Sequence, residues 1–149
     1  MKKNVFTCIL YTVIQWTWGI VQNILGALLF LFYLLKEPKS KIRYYHGAIV
    51  INRKPGLGSM GLGMFIFNGH VGNPDEEKVL VHEWGHTVQS VILGPLFLFV
   101  IGIPSVLWAF IPAFVKMRKE KGIKYTDLYC EKWASGMGEK LSKQPAVWI

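Results

Sequence analysis

With 149 residues the chain has room for one domain around one core. Hydrophobic residues make up 52% of it and the mean hydropathy is +0.31, high for a soluble protein, so a membrane-associated class is expected. The net charge of +8 gathers at the ends of apolar runs rather than along one helix face, which favours anionic lipid over nucleic acid as partner, and two cysteines, Cys8 and Cys130, define no disulfide framework.

After Met1-Lys2-Lys3 an uncharged run extends from about Val5 to Leu35 and is closed by Lys36. It is longer than the apolar centre of a signal peptide and lacks a small-residue cleavage site. Its length allows it to span a bilayer with tilt. Residues 1–36 are therefore read as a membrane anchor, either one long tilted helix or a helix bent near Gly19. Lys36 to Arg43 is a basic juxtamembrane stretch carrying Pro38. Tyr44 to Asn52 contains Ala48-Ile49-Val50-Ile51 and reads as a strand. Lys54-Pro55-Gly56 marks a turn, and Ser59 to Asn68 reads as a second strand with glycines at 61 and 63 for a bulge or a close backbone approach. The resulting hairpin has an edge that can hold an extended peptide, or it only packs on the helix that follows.

Asn73-Pro74-Asp75-Glu76-Glu77 is a helix start: Asn73 at the N-cap, Pro74 in the first turn, and acids at the positive end of the dipole. Leu93-Gly94-Pro95 is a stop. The helix between them, roughly 30 Å long, carries His82-Glu83-Trp84-Gly85-His86 near its middle. Residues four apart share a helix face, so His82 and His86 can present two imidazoles to one ion, with Glu83 beside them as a base for an attacking water. This is the mechanical content of the HExxH pattern of zinc peptidases. Trp84 is expected in the core, and Gly85, lacking a side chain, admits another backbone.

Pro95 to Phe114 is a second uncharged apolar stretch, interrupted by Gly102, Pro104 and Pro112. Lys116 to Lys124 is strongly basic and suits lipid headgroups. About Thr126 to Leu141 reads as a last helix holding Asp127, Cys130, Glu131, Trp133 and Ala134.

A catalytic zinc site needs a third protein ligand. Glu131 is the choice: Glu131-Lys132-Trp133-Ala134 matches the ExxA core of the second zinc-binding helix in gluzincins. Over roughly Tyr44 to Leu141 the chain resembles those metallopeptidases, in particular small bacterial membrane-associated members. The resemblance implies an α+β, mostly helical fold with a minimal zincin-like core of β-hairpin, HExxH helix and C-terminal glutamate-bearing helix. It implies Zn2+ held by His82, His86 and Glu131, with Glu83 as general base. It also implies a peptide or protein substrate and a place in the bacterial cytoplasmic membrane. Where the group often has an aspartate that orients a ligand histidine, this chain has Ser135. His70 and Cys130 are reserve ligands, with His46 behind them. Tyr125 and Tyr129 are available to stabilise an oxyanion.

This ligand set constrains topology. If residues 95–115 crossed the membrane once, Glu131 would lie on the far side from the histidines. The apolar segment is therefore expected to lie in the interface or to dip in and return, within a domain covering residues 37–149. The basic residues do not set orientation: seven fall between Lys36 and Lys78, ten in the two terminal segments together. Two alternatives stand. One is a site-two-type intramembrane metalloprotease, whose third ligand is a distant aspartate. The other is a non-catalytic small membrane protein with a structural or vestigial metal site.

Overall fold

The computed structural model describes residues 5–149 and is an α+β arrangement, mostly helical, with a small mixed sheet. The first apolar run forms two helices, α1 (Val5–Thr17) and α2 (Ile20–Lys36), meeting at 96°. The bend falls at Trp18-Gly19, where both backbone N–H groups reach the Ile14 carbonyl and the helix unwinds into a wide turn. A side chain at Gly19 would collide with Gln15 there.

Four strands follow: β1 (Ile42–Tyr45), β2 (Ala48–Asn52), β3 (Met60–Leu62) and β4 (Phe65–Asn68), in the order β1-β2-β4-β3. The single expected hairpin is in fact two short ones. His46 and Gly47, both at positive φ, turn β1 into β2, and Gly63 helps turn β3 into β4. Between the hairpins β2 and β4 pair parallel, Ile49 opposite Phe65 and Asn52 opposite Asn68, so Lys54-Pro55-Gly56 lies in a crossover rather than a hairpin turn. The physical reason is burial on both faces. Parallel central strands read as continuous apolar runs, as Ala48-Ile49-Val50-Ile51 and Phe65-Ile66-Phe67 do. Phe30 and Tyr33 of α2 stack on Phe65 and Phe67 on one face, and Ala48, Val50 and Ile66 meet the next helix on the other.

That helix, α3, spans Glu76–Leu93, two residues shorter at its start than the sequence suggests. Asn73 is spent on a local turn instead, its Oδ1 accepting from the Asp75 N–H at 2.9 Å. Glu76 accepts from Gly72 N–H, Asn68 and Arg43, which anchors the helix start to the sheet. Beyond Leu93 the chain turns through a 3-10 turn (Gly94–Leu96) and a π turn (Leu98–Gly102) into α4 (Ile103–Phe110). The Glu76–Leu96 and Leu98–Phe110 segments meet at 119°, so the second apolar stretch folds back, bent just past its Gly-Pro break. Among the described residues no single helix is long and apolar enough to cross a membrane. α5 (Pro112–Lys121) begins at a proline and ends in Arg118, Lys119 and Lys121, favourable at the negative end of a helix. A 3-10 turn (Tyr125–Asp127) then leads into α6 (Tyr129–Ser142).

α3 and α6 pack backbone to backbone. A Cβ on Gly85 would meet the Ala134 carbonyl, and one on Gly138 would meet the Val81 carbonyl. This approach, made possible by two glycines facing opposite helices, brings α6 side chains onto the histidine face of α3.

Candidate metal centre

His82, Glu83 and His86 lie in the middle of α3, and all three are buried. Glu131 lies in the first turn of α6, where the helix dipole favours a negative charge, and it has no exposed surface. Its Oε2 is 3.1 Å from His82 Nε2 and 3.2 Å from His86 Nε2. One ligand atom from each of the three residues lies within 4.8 Å of the others, a group that can hold a metal ion. The chain turns back after Leu96, and the Glu131 carboxylate reaches both rings.

The outer nitrogens of both rings are committed. Ser135 Oγ donates to the Val147 carbonyl at 3.0 Å, so at 2.8 Å from His82 Nδ1 it can only accept. Gln89 Nε2 donates to the Cys130 carbonyl at 2.9 Å, which turns its Oε1 toward His86 Nδ1 at 2.8 Å, again as acceptor. Both imidazoles therefore carry hydrogen at Nδ1 and aim Nε2 at the same point. Metal-ligating histidines are held this way, with the far N–H donated to a fixed acceptor. The donor set of two imidazole nitrogens and a carboxylate oxygen is one that can hold a metal ion. Gln89 and the Val147 carbonyl are absent from the reading of the sequence. Gln89 stands three residues past His86 on the same helix face, a usable signal. A backbone carbonyl carries none.

The electrostatics agree with a cation site. Burial alone would raise the Glu131 carboxyl, but hydrogen bonds and charge from His82 and His86 hold it far below the usual carboxylate range. Burial alone would lower His86; the hydrogen bond and charge of Glu131, with help from Glu83 and Gln89, raise it to about 9. Glu83 is pushed up, chiefly by burial and further by Glu131, against the pull of both histidines and the Gly61 N–H. Gly61 belongs to β3, so the sheet edge and the HExxH helix meet at this carboxylate; a side chain at Gly61 would strike the Glu83 carbonyl.

The reserve ligands lie elsewhere. His70 Nδ1 pairs with Ser59 Oγ at 2.9 Å. The His46 ring stacks against Trp84, itself in the core with Leu80 and Ile66. Cys130 is packed with Phe97 and Ile101, its Sγ 3.6 Å from Glu131 Oε1, the carboxylate oxygen turned away from the histidines. None of the three belongs to the group. Of the two tyrosines, Tyr129 donates to the Val100 carbonyl. Tyr125 pairs with Ser105 at 3.2 Å, and its hydroxyl is raised by burial and then by the charges of Glu131 and Glu83, so it is the one within electrostatic reach of the centre. Compared with known families, characterised proteins and solved structures, the chain matches none.

Proposed function

We propose that this chain is a membrane-bound, zinc-dependent peptidase with Glu83 as its general base. The observation that carries the reading is the convergence of His82, His86 and Glu131 with both Nδ1 atoms already satisfied. Zinc, when bound, supplies Lewis acidity for a peptide carbonyl and activates water at neutral pH. His82 and His86 bind through Nε2, and Glu131 supplies the balancing negative charge. Glu83, adjacent on the same helix and raised by its surroundings, accepts the water proton at its carboxylate and returns it to the leaving amine. The Gly61 N–H orients that carboxylate, and Ser135 and Gln89 keep the two imidazoles in the ligating tautomer. β3 is the sheet edge nearest the centre and offers backbone groups to an extended peptide. The minimal zincin-like core and the bacterial cytoplasmic membrane as its location belong to the same proposal. The exposed apolar surfaces of α1, α2 and the 96–110 turn, with Phe99 69% and Phe110 77% exposed, favour lipid as their cover.

A second reading is favoured by one observation, the burial of all four central side chains, which suits a metal that only staples α3 to α6. Glu83→Gln separates the two. On the peptidase reading it keeps the zinc and lowers hydrolysis of a peptide library at least about 100-fold. A wild type that holds zinc yet cleaves nothing, or a Glu83→Gln variant that cleaves as fast as wild type, contradicts the proposal.

A further inference from the structure

At the far end of α2 from its bend, an open cleft of about 610 Å³ lies between two stretches distant in sequence. The β1–β2 pairing brings them together: Asn52 N–H donates to the Lys41 carbonyl at 3.0 Å, so residues before β1 and after β2 leave the same end of the sheet. The cleft is lined by Lys36, Lys39, Lys41, Arg53 and Lys54, against the single carboxylate of Glu37. Among the described residues none of these five cations has an ion-pair partner; the chain's salt bridges lie at Arg43, Lys78, Lys116 and the two histidines of the centre. Lys36 lies over the Phe32 ring, Arg53 over the Tyr33 ring, and the Arg53 Nε is buried with no acceptor. Five gathered cations repel one another, and a bound anion relieves that repulsion.

The apolar surroundings narrow the kind of anion. Leu28, Leu31, Phe32 and Leu35 repeat at helical spacing on α2, are all exposed (Leu35 83%), and end where the cleft begins. Cationic groups at the end of an uncovered apolar stripe match a ligand with a phosphate head and hydrocarbon tails. We propose that this cleft binds the phosphate headgroup of one anionic phospholipid, its acyl chains lying along the exposed face of α2. None of its residues belongs to the metal centre, so the site stands or falls independently of the peptidase reading.

The test uses the full chain in neutral detergent, titrated with phosphatidylglycerol and followed by native mass spectrometry. Lys39→Gln with Lys54→Gln is compared with Lys119→Gln and Lys121→Gln, an equal charge change on α5. The expected result is one saturable lipid per chain, weakened about 30-fold in the cleft variant and less than about threefold in the α5 variant. Phosphatidylcholine should not bind to this site, and inorganic phosphate at matched ionic strength should displace the lipid only at far higher concentration. Equal weakening in both variants, with no saturable first lipid, overturns the site and leaves diffuse attraction. Displacement by inorganic phosphate at concentrations comparable to the lipid overturns the lipid as its source.

Discussion

The two buried faces of α3 use polar side chains in opposite ways. Toward α1 and α2 it meets amides and hydroxyls: Gln15 donates to the Thr87 carbonyl at 2.9 Å, Ser90 to Gln15, and Gln22 to Ser90 and the Gly94 carbonyl. These are neutral groups, most of them satisfied by direct pairing, and they fix how the N-terminal helices dock. Toward α6 it meets ionisable groups that converge on one point and shift one another's protonation. The neutral network pairs mostly within itself, with the Gln22 Oε1 left over, whereas two imidazoles and a carboxylate aimed at one point, beside a second acid, leave a place for a cation. Burial alone does not mark a site; convergence of titratable groups with committed outer atoms does.

That contrast can be broken from the metal side with the largest effect. His86→Ala removes a ligand and leaves Glu131 buried with one imidazole fewer, so zinc binding should be lost and the folded chain weakened by about 3 kcal/mol or more. Equilibrium dialysis and thermal unfolding read both. Gly85→Ala forces a methyl group into the Ala134 carbonyl and should push α6 outward, costing about 1–3 kcal/mol and most of the metal affinity although no ligand is touched. Ser135→Ala and Gln89→Leu each free one ring's Nδ1 and should weaken zinc about 10–100-fold, measured by competition with a chromophoric chelator. On the other face, Gln15→Leu should cost about 1–3 kcal/mol of stability with zinc affinity unchanged, the smallest effect on the site. Loss of zinc in Gln15→Leu would merge the two faces into one network.

The pH dependence sharpens the same comparison, because the groups whose shifts act at or below about pH 9 gather around the α6 side, while Tyr11 on the α1 side is pushed up to about 12. In the metal-free chain the His86 pKa is raised from 6.5 to about 9, so its stabilising contribution is full below about 6.5 and is lost as pH rises through about 9. Glu131 is depressed, so its contribution is present above its ordinary 4.5 and is lost as pH falls below it. Glu83, raised, subtracts stability once pH exceeds 4.5. Zinc must displace the His86 proton, so apparent affinity should rise about tenfold per pH unit up to about 9 and then flatten. A flat affinity between pH 6 and 9 would show that His86 is already neutral over that range and would contradict its raised pKa.

Much of the centre was legible because helix geometry turns spacing into proximity. His82, Glu83 and His86 needed only the four-residue repeat, and Gly85 told in advance that a backbone would pass there. Glu131 shows only through a short motif, Glu131-Lys132-Trp133-Ala134. The sheet is less legible. Ala48–Asn52 and Phe65–Asn68 show as apolar runs, but a run does not record the direction of its partner, and the His46-Gly47 turn lay hidden inside what looked like one strand. The wide turn at Gly19 was one of two readings of a uniformly apolar run. The Val147 carbonyl, which sets Ser135 and through it His82, had no signal, since every residue carries the same group.

Zinc stoichiometry of purified Glu131→Gln beside wild type tests the account most directly, because this substitution keeps the shape of the side chain and removes only its charge and ligating strength. The account predicts about one zinc per wild-type chain and an affinity at least about 100-fold lower in Glu131→Gln, with the fold retained by circular dichroism. Full retention of zinc in a folded Glu131→Gln chain would contradict it, since the ion would then be held by groups other than the three that meet between α3 and α6.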